Sequence, residues 1–213
     1  REHELDASLV NRVHEELGWP VFVKPANLGS SVGVTKAGDG RAFQAAVEEA
    51  LRYDEWVIVE EAVRGREIEC GVLGDLRPEA SVPGEIRPSR EFYDYTDKYE
   101  SGSAELLVPA PLPPRVTRQV QQLAVATFQA VRAEGMARVD FFYEEEGRGL
   151  LVNEVNTIPG FTPISMYPKM WEASGLPYPA LIDRLVQLAL DRHARRHGRV
   201  GRSRPPTGAP PGT

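Results

Sequence analysis

Two short runs in this chain hold oxygen-bearing side chains at strand spacing: Ala137-Arg138-Val139-Asp140-Phe141-Phe142-Tyr143 and Leu150-Leu151-Val152-Asn153-Glu154-Val155-Asn156. They flank a charged turn and read as the two arms of a hairpin. Side chains alternate faces along a strand, so Arg138 shares a face with Asp140, and Glu154 shares one with Asn156. Turning through Glu144 to Gly149 sets Asp140 opposite Glu154 and Arg138 opposite Asn156. Like charges facing each other across strands destabilise a sheet. Such a pair must be solvated, protonated or bridged by a cation. Two carboxylates and the Asn156 amide oxygen are the ligands a hard divalent ion takes, and magnesium completes its shell with water and substrate phosphate. The plainer alternative is a solvated polar sheet face balanced by Arg138.

Two further groups suit a nucleotide. Gly29-Ser30-Ser31-Val32-Gly33 can present successive backbone N–H groups to an anion, and Lys24 on the preceding strand can place a point charge on a phosphate. The run lacks the Gly-Lys-Ser/Thr ending of a P-loop, and an ordinary tight hairpin turn is the competing reading. The segment Glu60-Glu61-Ala62-Val63 follows an apolar run and leads into another strand. Backbone groups left over at such a crossing can pair with the edge of an adenine, and Glu67 can take ribose hydroxyls. A solvated linker is the alternative there.

The elements that must position these residues are legible from spacing. Leu9, Val10, Val13 and Leu17 recur at helical intervals, with Asp6 or Ser8 as cap and Gly18 as stop. Val21 to Lys24 and a segment near Val34 form a hairpin. Phe43, Ala46, Val47, Ala50 and Leu51 mark a helix starting near Arg41. Trp56 to Val59 is a buried strand, and Glu67 to Leu73 another. Arg87 to Gly102 reads as a long loop whose aromatic density argues against disorder. Pro113-Pro114 open a helix with a stripe of Val116, Val120, Leu123, Ala124, Thr127, Phe128 and Val131, closed by Gly135. Helices resume after Pro159-Gly160 and end with Ala180 to Arg196. The Gly/Pro/Arg-rich residues 198–213 read as a disordered tail.

Composition narrows the function. Six of the 25 basic residues lie from Arg192 onward, where no acid occurs, so the body holds 19 basic against 31 acidic residues. That argues against a phosphate-backbone binder of nucleic acid. Cys70 is the only cysteine, which precludes an intrachain disulfide. With no apolar run of transmembrane length and no signal peptide, the chain reads as cytoplasmic, with no membrane partner. It begins at Arg1 without an initiator Met, which reads as a fragment or cleaved product.

Taken in order, several motifs resemble the D-alanine–D-alanine ligases of the ATP-grasp superfamily. They are Val23-Lys24-Pro25 with the glycine loop, Glu60 to Glu67, Phe92-Tyr93-Asp94-Tyr95 with Lys98-Tyr99, and Arg138-Val139-Asp140. Asn153-Glu154-Val155-Asn156-Thr157, Pro159-Gly160-Phe161-Thr162 and Ser165-Met166-Tyr167-Pro168 complete the set. The resemblance spans about Leu17 to Leu190. It implies an α+β, ATP-grasp fold of two subdomains, residues 1–63 and 64–197, each with a mainly antiparallel sheet and packed helices, with ATP between them. It implies ATP-dependent joining of two D-alanines through an acyl phosphate, for peptidoglycan precursor synthesis.

The same resemblance assigns roles. Lys24 and Lys98 contact phosphates, Glu60, Glu61, Ala62 and Val63 form the adenine hinge, and Glu67 takes the ribose. Asp140, Glu154 and Asn156 hold two magnesium or manganese ions. Arg138 and the Gly160 backbone stabilise the acyl phosphate and the tetrahedral intermediate. Ser30 and Tyr99 belong to the substrate-orienting network, Ser165 and Met166 cradle the second D-alanine, and Glu91 to Tyr99 is a loop that closes over the site. Family members carry a further N-terminal domain that holds the first D-alanine and forms the homodimer. The expectation for this chain alone is nucleotide binding without ligation. Competing readings are a D-alanyl-D-lactate-type ligase, which Tyr99 argues against, and a non-catalytic nucleotide-binding fragment.

Overall fold

The computed structural model describes residues 7–29, 31–87 and 105–197. Ser30, Lys98 and Tyr99 lie outside these residues, as do the loop from Glu91 to Tyr99, the Asp6 cap and the tail from Gly198. The chain divides into two compact units. One runs to Arg66 and also holds Ile86, Arg87, Glu105 and Glu144–Gly147; the other holds Glu67–Glu85, Leu106–Tyr143 and the residues from Arg148 on.

The first unit begins with α1 (Ala7–Leu17), whose Val13 is buried. Gly18 ends it in the left-handed region (φ 72°), its N–H donating to His14 O at 3.1 Å. Strands β1 (Val21–Pro25), β2 (Thr35–Ala37) and β3 (Val57–Glu61) form an antiparallel sheet in the order β2-β1-β3. The β1 burial alternates: Val21 and Val23 are fully buried, whereas Phe22 and Lys24 face the other way, partly exposed. Helix α2 (Gly40–Leu51) starts where the Asp39 carboxylate accepts from Ala42 N at 2.8 Å. Its Phe43, Ala46, Val47 and Ala50 close over Val21, Val23 and Ala37, with Leu9, Val10 and Leu17 of α1 packed alongside. β3 is longer than its apolar residues announce. Glu60 and Glu61 continue the ladder opposite Phe22 and Val21, because backbone pairing with β1 holds them whatever their side chains.

The second unit is built on a six-stranded sheet in which β7 (Glu105–Leu107), β6 (Gly84–Arg87), β4 (Arg66–Gly74), β8 (Gly135–Glu144) and β9 (Gly149–Asn156) follow one another, with β5 (Glu79–Ala80) paired to β4. Helix α3 (Pro114–Ala130) covers one face. Its Val116, Val120, Ala124 and Phe128 pack on Ile68, Cys70 and Val72 of β4 and on Ala137, Val139, Phe141 and Tyr143 of β8. The buried residues recur every fourth position, so Leu123 and Val131 fall off the stripe and are 38% and 55% exposed. The helix ends before Arg132, which is left-handed (φ 54°), and Gly135 opens β8 instead of closing the helix.

Helices α4 (Met166–Ala173) and α5 (Tyr178–His197) cover part of the other face. Tyr167, Trp171, Leu181 and Leu188 pack there on Leu73, with Met136 and Phe161 against them. Tyr167 Oη donates to Val72 O at 2.9 Å. Asp75, just past β4, accepts from Gly135 N at 3.1 Å and from Arg195 Nη2 at 2.5 Å, tying β8 and α5 to one carboxylate. Among the described residues no helix is long and apolar enough to cross a membrane.

Candidate active site

Strict alternation along β8 sends Ala137, Val139, Phe141 and Tyr143 into the core under α3 and leaves Arg138 and Asp140 on the opposite face. On β4 the same logic buries Ile68, Cys70 and Val72 under α3 and turns Glu69, Gly71 and Leu73 the other way. Helix α4 lies over Gly71 and Leu73. The polar residues Glu69, Arg138 and Asp140 follow along that face, joined by Glu154 and Asn156 of the neighbouring strand β9.

These side chains meet. Arg138 grips Asp140 with two hydrogen bonds, Nε to Oδ1 and Nη2 to Oδ2, both 2.7 Å. Its Nε also lies 3.2 Å from Glu69 Oε1. Asn156 Nδ2 donates to Asp140 Oδ2 at 2.9 Å and to Glu154 Oε1 at 3.1 Å. Burial on its own lowers the Arg138 pKa. The bonded Asp140 and the charges of Glu69, Asp140 and Glu154 outweigh it and raise the value, so the guanidinium stays charged. Burial raises the Asp140 pKa, and Glu154 adds to the rise against the pull of Arg138. The cluster therefore holds three carboxylates around one cation, with an excess of negative charge on a partly desolvated face.

That excess is what a divalent cation would relieve. Among the described residues no group of three or more His, Cys, Asp or Glu side chains has metal-binding placement. The donor set here is instead two carboxylates and an amide. The Asn156 N–H points at a spot between Asp140 and Glu154, and a half-turn of the amide brings its oxygen to the same spot. Three hard oxygens then converge, which fits magnesium or manganese.

Beyond β9 the chain turns through Pro159 and Gly160 into α4. Tyr178 Oη donates to Phe161 O at 2.8 Å, and the Phe161 ring packs tilted against Tyr178 and Tyr167, anchoring the turn. Gly160 runs close to Ser165: a Cβ on it would sit 3.1 Å from Ser165 Oγ. Ser165 is the N-cap of α4, and its hydroxyl accepts from Thr162 N at 3.1 Å. Met166 is buried, its sulfur against Gly84. Gly160, Ser165 and Met166 thus share one turn at a helix N-terminus, where backbone dipoles favour a carboxylate.

In the first unit, Lys24 Nζ pairs with Glu60 Oε1 at 2.8 Å. Both side chains project from the sheet face opposite α2, two residues apart in register, Lys24 facing Ile58 and Glu60 facing Phe22. Ala62 N–H donates to Pro20 O at 3.2 Å, so this donor is engaged within the unit. Glu61 and Val63 flank it at the end of an edge strand. Glu67, at the start of β4 in the second unit, is half-buried. The residue that sequence reasoning passed over is Glu69, 5% exposed. Its signal was there: an acid within the run Ile68-Glu69-Cys70-Gly71-Val72-Leu73, where burial demands a charged partner.

The profile of the family described as the D-ala D-ala ligase C-terminus matches residues 1–187. The D-alanine–D-alanine ligase of Solibacter usitatus is 57% identical over 180 residues, which cover 84% of this chain and 55% of that protein. The ligase of the same name from Geobacillus kaustophilus is 52% identical over 186 residues, 87% of this chain and 50% of that protein. Among solved structures, the D-alanine-D-alanine ligase of Coxiella burnetii superposes with a TM-score of 0.78 at 45% identity, covering 91% of this chain and 50% of that one. The VanG D-Ala:D-Ser ligase of Enterococcus faecalis gives 0.77 at 38% identity, with 85% and 52% covered. The chain spans about half the length of the curated relatives it matches. The α+β fold with antiparallel sheets is the ATP-grasp fold of these ligases. On matched residues, identity and fold together, the chain belongs to the D-alanine–D-alanine ligase C-terminal family.

Proposed function

We propose that the chain carries the ATP-dependent chemistry of a D-alanine–D-alanine ligase. The observation that carries this reading is the convergence of Arg138, Asp140, Glu154 and Asn156 on one sheet face of a chain from this family. The reaction brings anions together: a carboxylate oxygen of the first D-alanine attacks the γ-phosphorus of ATP, and ADP leaves. The amine of the second D-alanine, having lost a proton, attacks the acyl phosphate carbon. Phosphate departs as the peptide bond forms.

Catalysis of such transfer is mostly positioning and charge stabilisation. Asp140, Glu154 and Asn156 would hold two magnesium or manganese ions, which neutralise phosphate charge when bound. Arg138, kept ionised by its carboxylates, donates to the acyl phosphate and the tetrahedral oxyanion, with the Gly160 N–H as second donor. Lys24 contacts phosphate once it exchanges Glu60 for the nucleotide, and Lys98 adds a second charge. Glu60, Glu61, Ala62 and Val63 receive the adenine, where Glu61 and Val63 are better placed than Ala62 because its N–H serves Pro20. Glu67 takes the ribose. Ser165 and Met166 receive the carboxylate of the second D-alanine, while Ser30 and Tyr99 orient the substrates. In this reading residues 1–63 and 64–197 are the two ATP-grasp subdomains, the ligase works in the cytoplasm on peptidoglycan precursors, and it forms a homodimer.

The test is Asp140→Asn and Glu154→Gln in the complete ligase. Each abolishes dipeptide formation measured by chromatography. Retained activity with an unchanged magnesium requirement overturns the assignment.

A further inference from the structure

Asp140 faces two competing claims on its lone pairs. Both of its oxygens are held by Arg138 at 2.7 Å, yet a divalent cation between Asp140, Glu154 and Asn156 needs at least one of them. Releasing Arg138 altogether would leave a long cation side chain without a fixed geometry on a partly desolvated face. A second anchor is already in place. Glu69 reaches Arg138 Nε from β4, at 3.2 Å from the same nitrogen that bonds Asp140 Oδ1. Its side chain is 7% exposed, against 20% for Arg138. It rises from a strand clamped by Ile68, Cys70 and Val72 in the core, which fixes its backbone beside β8.

We infer that Glu69 is a positioning residue that keeps Arg138 in place when Asp140 turns from the guanidinium to the metal. This rests on the proposed reading of Asp140, Glu154 and Asn156 as metal ligands. Glu69 touches neither metal nor substrate. It lets Asp140 Oδ1 be given up without loss of the Arg138 orientation, and it offsets the guanidinium charge that would otherwise repel the incoming cation. Without Glu69, Arg138 has Asp140 as its closest remaining carboxylate and competes with the metal for it.

The experiment measures Mn2+ alone binding to the full 213-residue chain, by calorimetry and by electron paramagnetic resonance of free Mn2+. The variants are Glu69→Gln and Glu69→Asp, each alone and combined with Arg138→Met, with circular dichroism confirming the fold. Outer-shell partners of metal ligands are worth about 10–100-fold in affinity, so Glu69→Gln is expected to weaken Mn2+ binding by about 10-fold or more. In the Arg138→Met background the same substitution is expected to change affinity little, because no guanidinium competes for Asp140. Should Glu69→Gln fail to fold, Glu69→Asp, which keeps the charge on a shorter arm, gives the same comparison: a loss with Arg138 present and none with it replaced. Equal losses in both backgrounds reduce Glu69 to a through-space charge and overturn the inference. An unchanged affinity with Arg138 present does so too. If the unaltered chain shows no saturable Mn2+ binding, the metal reading falls, and this inference with it.

Discussion

Carboxylates surround Arg138 and raise its pKa, and Glu60 pairs with Lys24 at 2.8 Å. Both cations are kept in place by anions that a substrate phosphate can replace. This arrangement sets an expectation for Lys24→Met. Hydrogen bonds to charged groups contribute about 1.5–3 kcal/mol, so the substitution should weaken Mg-ATP binding by roughly 10- to 100-fold in calorimetry, with the thermal midpoint nearly unchanged. A large loss of stability with unaltered ATP affinity would mean that Lys24 serves the fold. Tyr99→Phe tests acceptor choice in the complete ligase. If Tyr99 sets the preference for an amine acceptor, as the proposed reading has it, losing its hydroxyl should raise the use of D-lactate relative to D-alanine. Acceptor ratios unchanged from the parent across the pH range in which the ammonium competes with the hydroxy acid would count against that role.

Helix α4 brings Ser165 and Met166 beside Gly160, and it can do so only because β4 carries no side chain at Gly71. A Cβ there would meet Trp171 Nε1 at 2.9 Å, Ser81 Oγ at 3.1 Å and Tyr167 Cε2 at 3.1 Å. Two of these belong to rings buried in the helix–sheet interface, which cannot swing aside as a flexible chain end can. Overpacking of this kind costs about 1–3 kcal/mol. Gly71→Ala should lower the unfolding free energy by that amount, read as a lower denaturant midpoint without a change of slope, and should weaken the second D-alanine more than ATP because the helix is pushed from the sheet. A melt identical to the parent would show that α4 yields freely. At the start of α2, Asp39→Ala removes the acceptor of Ala42 N–H. The expected loss is about 0.5–2 kcal/mol of stability, read by chemical denaturation. Helices α1, α2, α3 and α5 were legible because their apolar residues recur at helical spacing. Strands β5, β6 and β7 were not, being too short to show alternation; Gly84-Glu85-Ile86-Arg87 bears no apolar pattern of its own and becomes a strand by pairing with β4.

Across the whole molecule, Cys70 offers a reporter of integrity. It is fully buried between β4 and α3, and burial pushes its thiol up to about 12. A raised pKa leaves the thiol neutral at neutral and mildly alkaline pH, and burial also bars reagents from it. The native chain should therefore resist iodoacetamide, with alkylation rising in step with loss of near-ultraviolet circular dichroism as urea is added. Prompt labelling of the native chain would place Cys70 in a region that opens locally, below the global stability.

Local spacing was sufficient for what depends on neighbours in sequence. The alternation of Arg138 and Asp140 away from Val139 and Phe141, the hairpin that carries Glu154 and Asn156 back towards them, and the chemistry of two carboxylates with an amide could all be written from residues 137–156. The Lys24 strand and its turn were equally local. The tertiary structure alone decided which distant residues join them. Glu69 reaches Arg138 because β4 lies beside β8 in the sheet order β7-β6-β4-β8-β9. Ala62 donates to Pro20 because β3 lies beside β1 as an edge strand. Strand neighbours of this kind are chosen by burying shared apolar faces, Ile68, Cys70 and Val72 with Val139 and Phe141 under one helix. That choice sums over the whole core, so Glu69 is brought to Arg138 as its consequence; its own run marks a buried acid but not which cation it meets.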